Sequence, residues 1–451
     1  MGLEIDIGWL TLIMFGSLLV LLAAGLPLAF VTGGLACVFL FLLGDAQTLN
    51  IVPSRIFPLM TDYQLSAIPL FIFMAAMLER AGLIREMFDV IYKLLGGLKG
   101  GLASATIIAS TILAAMVGVI GAAVVTMGII ALPAMLAREY NTKIAMGSIM
   151  AGGTLGILIP PSILAIIYAV VAEQSVGELF IGAVLPGLLL SGLYILYVTM
   201  MCYLDPEKGP PIPVAERISL VEKIRLLKQM AAPIILILVV FSVLFSGAAT
   251  PVEAAGIGTF GAFIVAALHR QLNWNTVREA VITTLKASSM VIWIMFGATI
   301  FVGLYVLQGG QTFVTESLAA TGLGPWGILI LMQVLLIILG MFLDWVGILL
   351  LCVPIFVPII KGLGAAAFGL GDTGDLVLWF GVLYLVNMQM SFLSPPFGYA
   401  LFYLRGVAPD HIPMSDIFKA ALPFLALQFV GLALCMFFPK IITWLPNLVY
   451  G

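Results

Sequence analysis

Residues Gly153–Ser162 read GTLGILIPPS and residues Phe392–Ala400 read FLSPPFGYA, each a double proline flanked by Gly or Ser and set in apolar sequence. Proline lacks the N–H that a helix needs, its ring clashes with the preceding turn, and it pushes the residue before it out of the helical region. A helix entering Pro160 or Pro395 must therefore stop there. At membrane depth, non-helical backbone is tolerated only where protein buries it or where it lines a cavity, and matching interruptions in two halves of a chain point to a secondary transporter's binding site. The two segments thus predict re-entrant helical hairpins, over about residues 143–173 and 377–405.

Composition agrees on the class. Of 451 residues, 63% are hydrophobic and 9% charged, where a soluble globule would carry about a quarter charged residues. The reading is an all-α polytopic membrane protein. Divided at about 20 residues per span, the apolar runs give about eleven transmembrane helices beside the two hairpins. Glu4 and Asp6, with no Lys or Arg before the first run, do not resemble a cleavable signal peptide, so the first helix is expected to stay. The net charge of −3 argues against a nucleic-acid partner. Cys37, Cys202, Cys352 and Cys435 stand apart without metal-ligand spacing, and His269 and His411 lie outside the apolar runs, so no metal cluster or intramembrane proton relay is expected.

The chain repeats itself. Pro27 pairs with Pro251, Gly82 with Gly309 and Pro133 with Pro354 at an offset of roughly 225 residues. Pro160 pairs with Pro395 after a drift that the Gly-rich, acidic stretch Gly362–Asp375 accounts for as a surface loop. Two inverted repeats are therefore expected, residues 1–204 and 231–451, joined by a connector over 205–230. In the connector, Pro206, Pro210, Pro211 and Pro213 precede an amphipathic stretch with Ile218, Val221, Ile224 and Leu227 on one face, expected to lie along the membrane surface. Similar stretches occur at Arg85–Leu98 and Trp274–Lys286.

A second interruption precedes each hairpin, near residues 118–122 (Gly118, Gly121, Ala122) and near residues 340–346 (Gly340, Asp344). Small residues alone are as often packing as site. Asp344 shifts the balance, since an acid among Met341, Phe342, Trp345 and Ile348 is costly in lipid and is a functional-site hypothesis by default. Glu253 sits at a helix start and reads as structural. At each hairpin tip, a half-helix that ends presents unpaired carbonyls suited to a small hard cation, and the half-helix that begins presents N–H groups suited to a carboxylate. Thr154, Ser162, Ser391 and Ser394 add hydroxyls there. Cation and anionic substrate then stabilise one another in a site of low dielectric.

Gly152–Ser162, Gly340–Asp344, Ser391–Gly398 and Ala249–Ala254 together resemble the large membrane subunit of tripartite ATP-independent periplasmic (TRAP) transporters, in order along essentially the whole chain. Phe397–Gly406 further resembles a subgroup associated with 2-oxo acids and other small organic acids. The resemblance implies a multi-pass protein of a bacterial or archaeal inner membrane with an elevator-type fold. It implies sodium as coupling ion with no further cofactor, a small carboxylate as substrate, and two partners besides membrane lipids: a smaller four-helix membrane subunit and a periplasmic substrate-binding protein. Carried over by residue, one sodium site would involve Gly118, Gly121 and Ala122 with Gly153, Thr154 and Gly156. The other would involve Gly340 and Asp344 with Ser391 and Ser394, and substrate would meet Pro160, Pro161, Ser162, Pro395, Pro396 and Gly398. Ile120 and Ala122 stand where many members carry serine, and Gly152-Gly153 where they carry Ser-Ser, so the first site would rely on carbonyls and Thr154.

Two other readings stay open at the level of sequence. A stand-alone sodium/carboxylate symporter would share the duplicated signals. Gly369-Leu370-Gly371-Asp372 also matches the short GxGD pattern of intramembrane aspartyl proteases, with Asp344 as a second acid. Arg405 is read either as a clamp on a substrate carboxylate or, preferably, as snorkelling to the interface.

Overall fold

The computed structural model describes residues 5–44, 46–117, 120–213, 218–341, 343–396 and 398–450, and helix is the only regular structure among them. The first half contains α1 (Ile7–Ala23), α2 (Leu28–Leu43), α3 (Ile51–Met60), α4 (Ala67–Arg80), α5 (Leu83–Leu95), α6 (Gly101–Val117), α7 (Ile120–Leu136), α8 (Thr142–Thr154), α9 (Ile163–Ala172) and α10 (Val176–Leu204). After α11 (Leu220–Gln229) in the connector come α12 (Ala231–Phe245), α13 (Pro251–Leu268), α14 (Trp274–Leu307), α15 (Gly310–Ala320), α16 (Pro325–Gly340) and α17 (Trp345–Leu363). The chain closes with α18 (Thr373–Leu393), α19 (Tyr399–Arg405), α20 (Met414–Phe437) and α21 (Lys440–Tyr450).

Six described helices are long and apolar enough to cross a bilayer, and a seventh span would join the two segments Gln47–Met60 and Tyr63–Arg80, bent by 60°. The apolar runs 7–43 and 102–137 each divide into two helices of 16 or 17 residues. One order of elements occurs twice. α4 leads through Gly82, held at φ 75°, into α5, α6, α7 and the hairpin α8–α9. α14 leads through Gly309, at φ 87°, into α15, α16, α17 and the hairpin α18–α19. Both turns need the left-handed backbone that glycine adopts without a Cβ penalty.

α18 is buried along Leu376–Leu393, enclosed by α10, α16, α17 and α20. α8 lies among α6, α7 and α20, and α9 rests on α17. An outer group forms where α2 and α4 pack along α14 and α13 packs on α4, the last contact reinforced by a 2.9 Å hydrogen bond from Thr259 Oγ1 to Leu70 O. Phe30, Phe260, Leu268 and Trp293 of this group stay exposed, as expected of side chains whose solvent is lipid.

Some expectations resolve differently. Trp274–Lys286 is not a separate amphipathic segment but the first third of the 34-residue α14, about 51 Å long at 1.5 Å per residue. No Gly or Pro interrupts residues 274–296, so the helix propagates past the change in polarity. Its extension is tied to the end of α4 by the Arg80–Glu279 ion pair at 2.8 Å. The stretch Gly362–Asp375 is not wholly a surface loop, since Phe368 is buried with its ring 5.3 Å from that of Trp326 and 5.2 Å from that of Trp379. Arg405 Nη1 donates to the carbonyls of Ile412 (2.8 Å) and Pro409 (3.4 Å), holding the loop after α19. Glu253 closes a capping box with Thr250 at the start of α13, its Oε2 accepting from Thr250 N at 2.8 Å.

Candidate functional site: two hairpin tips and the break before α17

In the first hairpin, α8 tightens into a single turn of 3-10 helix over Leu155–Ile157 before Pro160 and Pro161, whose peptide bond is cis. The prolines remove the two N–H groups that would have served the carbonyls of Gly156 and Ile157 in a continuing helix. The Ser162 hydroxyl donates to the Ile157 carbonyl and accepts from Ala165 N, so one side chain ends the turn and starts α9. Gly156 is left with a carbonyl that helix geometry no longer serves. Thr154 Oγ1 donates to Ala151 O at 2.8 Å and accepts from Gln428 Nε2 at 3.3 Å. Gly153 packs against Val124 of α7 and Gly152 against Ser110 of α6, both too closely for a Cβ. This tip, including Pro160, Pro161 and Ser162, is buried. Gly118 lies outside the described residues; Gly121 and Ala122 form the first turn of α7, and a Cβ on Gly121 would stand 3.2 Å from the Tyr403 ring. Thus α7 takes the tip of one hairpin near Val124 and α19 of the other at Gly121.

The second hairpin follows the same logic with a different exposure. Its Pro395–Pro396 bond is also cis, and the prolines deprive the carbonyls of Ser391 and Phe392 of helical donors. Ser394 N recaptures the Ser391 carbonyl at 3.3 Å. Ser391 Oγ donates to Asn387 O at 3.4 Å and Ser394 Oγ to Met390 O at 2.7 Å, which leaves lone pairs on both hydroxyls. A Cβ on Gly398 would stand 2.6 Å from the Phe392 carbonyl oxygen and 2.9 Å from that of Ser394, so only glycine closes this tip. Unlike Pro160 and Pro161, Pro395 is half-buried and Pro396 exposed.

Facing this tip, α16 ends at Gly340 and α17 begins at Trp345. Gly340 abuts the Ser391 side chain so closely that a Cβ would overlap it. Asp344 caps α17, its Oδ2 accepting from Val346 N at 3.2 Å; a carboxylate is favoured at that positive helix end. Two further contacts hold the break: Tyr384 OH donates to Trp345 O at 3.2 Å, and Asn387 Nδ2 donates to Gln333 O and Oε1 at 2.9 and 2.7 Å. Asp344 also borders a cavity of about 620 Å³, with Tyr399 and Tyr403 on one wall and Pro27, Phe30 and Trp293 on the other. The structure therefore brings Gly340, Asp344, Ser391 and Ser394 to one region and Gly153, Thr154, Gly121 and Ala122 to another. The two are bridged by α7 and α19. None of Pro160, Pro161, Ser162, Pro395, Pro396 and Gly398 lines the cavity.

Several side chains here escaped the sequence reading. Gln333, Asn387, Gln389 and Gln428 are buried amides in apolar helices, each with at least one polar side-chain atom that finds no partner among the described residues. The Tyr194 hydroxyl adjoins Gln428 and Thr154 without hydrogen-bond geometry. A usable signal was present, since an amide inside an apolar run is as conspicuous as an acid.

Asp372 is exposed and caps α18, its Oδ1 accepting from Asp375 N at 2.8 Å. Asp344 lies at the opposite end of the 19-residue α17, roughly 28 Å away along that axis. The two acids form no dyad. Asp372→Asn, which retains the cap, is expected to leave transport within twofold of wild type in a vesicle uptake assay.

Many apolar helices with two double-proline helical hairpins, the second set against the break before α17, make a fold consistent with a polytopic membrane transporter. The model of the tripartite ATP-independent periplasmic transporter family, DctM component, matches residues 15–441, and the chain belongs to that family. It is 31% identical over 415 residues to the C4-dicarboxylate TRAP transporter large permease protein DctM of Pseudomonas aeruginosa, covering 92% of this chain and 93% of that one. It is 28% identical to the sialic acid TRAP transporter large permease protein SiaM of Vibrio cholerae, over 97% of this chain and 99% of that one. The isethionate TRAP transporter permease protein DctMQ of Oleidesulfovibrio alaskensis is 28% identical over 95% of this chain, which spans 65% of that protein. In fold, the chain resembles the YdaH transporter of Alcanivorax borkumensis with a TM-score of 0.64, at 14% identity over 95% of this chain and 99% of that one. The relatives are permeases, not enzymes.

Proposed function

We propose that this chain is the large subunit of a three-part importer that carries a small organic acid across the bacterial or archaeal cytoplasmic membrane, driven by a sodium gradient. Its partners are the small membrane subunit and a periplasmic binding protein. The observation that carries the reading is the repeated double-proline tip, the first packed on α7 and the second against the break between Gly340 and Trp345. At each tip, carbonyls stripped of helical donors stand beside hydroxyls, and Asp344 supplies an acid at the second. Oxygen-rich and poor in soft ligands, such sites suit a small hard cation. A cation bound there gives a carboxylate its counter-charge where dielectric is low. The relatives' substrates, C4-dicarboxylates and sialic acid, are organic acids, and the DctMQ relative is longer than this chain, as a fusion with the small subunit would be. The recurring element order supports two inverted repeats over residues 1–204 and 231–451. In an elevator movement, the hairpins with α7 and α17 would slide against the outer group of α2, α4, α13 and α14.

Uptake of radiolabelled carboxylates into proteoliposomes holding both membrane subunits tests this. Accumulation that requires both an inward sodium gradient and the binding protein is expected. Sodium-driven uptake without a binding protein would make the chain a stand-alone symporter, and uptake indifferent to sodium would overturn the coupling. Because Gln428 positions the Thr154 hydroxyl, Gln428→Leu is expected to raise the sodium concentration for half-maximal uptake about fivefold, a cost of about 1 kcal/mol for one buried hydrogen bond.

A further inference from the structure

Three lysines from three separate elements line one pocket at an end of the helix bundle. We propose that this pocket binds the headgroup of an anionic phospholipid, whose acyl chains run along the cleft between α10 and α20. Lys143 comes from the first turn of α8, Lys208 from the turn after α10 and Lys419 from the second turn of α20. A 2.9 Å hydrogen bond from Asn141 N to the Lys208 carbonyl ties the first two of these elements together. The pocket, about 240 Å³, has an otherwise largely apolar wall of Ile144, Tyr197, Met201, Pro423 and Phe424. It is smaller than the site of a drug-sized ligand, so it takes a headgroup and not a whole lipid. Phe424 packs edge-on against Tyr194 and Tyr197, at 5.7 and 5.4 Å between centroids, and gives the pocket an aromatic floor.

The charges favour a phosphate there. Lys143 has no ion pair among the described residues, whereas Lys208 meets Asp205 at 3.3 Å and Lys419 meets Asp416 at 3.9 Å. Neither aspartate lines the pocket. Ion pairs that water reaches are weak, and an ammonium carries three donors, so each lysine can keep its aspartate and still reach a phosphate oxygen. Position favours a lipid as the source of that phosphate. Arg138 lies three residues before Asn141, and the basic connector follows Lys208, while Glu173 and Glu178 mark the opposite end of α10. The positive-inside rule therefore puts the lysines at the cytoplasmic leaflet, where basic pockets between spanning helices take anionic headgroups. Deeper along the same two helices, Leu196 and Met200 of α10 and Leu422 of α20 are exposed. The cleft narrows to where Gly431 lies so close to Leu190 that a Cβ would stand 2.4 Å away. A polar end among lysines and hydrocarbon below it is the outline of a phospholipid; a soluble phosphate would fill only the pocket. The site does not depend on the transport reading above.

The purified two-subunit membrane complex in detergent is titrated with dioleoyl phosphatidylglycerol and dioleoyl phosphatidylcholine, and bound lipid is counted by native mass spectrometry. Phosphatidylglycerol is expected to be retained about fivefold more tightly. Lys143→Gln/Lys208→Gln/Lys419→Gln is expected to reduce that preference to about twofold or less, with the thermal midpoint as a control on folding. Lys93→Gln/Lys228→Gln, in a separate charged pocket between α5 and α11, is expected to leave it unchanged. If the triple variant fails to fold, Lys419→Glu, at a side chain 61% exposed, serves instead and is expected to cut the preference about threefold. Equal retention of the two lipids by the wild-type complex would overturn the site. A preference that survives the lysine substitutions, or falls equally with Lys93→Gln/Lys228→Gln, would overturn it too, since the lipid would then bind elsewhere or respond only to overall charge. Displacement of the bound lipid by equimolar glycerol 3-phosphate would make this a site for a soluble phosphate and overturn the lipid assignment.

Discussion

Replacing Asp344 with asparagine is expected to lower sodium-driven uptake at least a hundredfold while leaving the protein folded. The carboxylate caps α17 through Oδ2 and Val346 N, and asparagine caps nearly as well as aspartate, so the helix start survives. What disappears is the negative charge. A cation about 4 Å from a carboxylate at an effective dielectric constant of 20 gains about 4 kcal/mol, and a factor of a hundred requires only about 2.8 kcal/mol. The loss should appear chiefly as weakened sodium dependence, so uptake is measured against sodium concentration up to saturation, with the thermal midpoint as a control on folding. Asp344→Glu, which keeps the charge but displaces it by a methylene, is expected to fall between. Wild-type uptake by Asp344→Asn at every sodium concentration would reduce this residue to a helix cap.

The parts of the site legible in the sequence are those that contradict their surroundings. Pro160 and Pro395 stop helices that the flanking residues favour, and Asp344 places an acid in an apolar run. Such conflicts can be read locally, as could the capping role of Glu253, because Thr250 lies three residues before it. What could not be read is pairing over distance. Gln428 meets Thr154 across 274 residues and Asn387 meets Gln333 across 54, and neither pair follows from a period or a spacing. The unequal exposure of the tips was equally hidden, since Pro161 and Pro396 occupy equivalent places in their motifs and what distinguishes them is cover from elements distant in sequence, such as α10, whose Gly187 lies against Ile159. The contacts of Arg405 were hidden too, because its partners are backbone carbonyls of a loop, whose path the side-chain sequence does not specify.

Gly340→Ala is expected to reduce sodium-driven uptake tenfold or more and to destabilise the protein by about 1–3 kcal/mol, the usual cost of forcing a methyl into a packed interior. The added Cβ would overlap the Ser391 side chain. Relief by separating α16 from α18 is opposed one turn back along α18 and two along α16, where Asn387 bonds both the backbone and side chain of Gln333. Relief by rotating Ser391 instead turns its hydroxyl away from the break where Gly340 ends. Either route disturbs the oxygens that the proposed cation site would use, which would need placement to a few tenths of an ångström. A second substitution separates packing from ligation. In the Gly340→Ala background, Ser391→Gly makes room for the methyl and is expected to recover much of the stability, while uptake stays low because the hydroxyl is gone. Recovery of both would mean that Ser391 only packs, and that the second cation site is built from carbonyls and Asp344 without it.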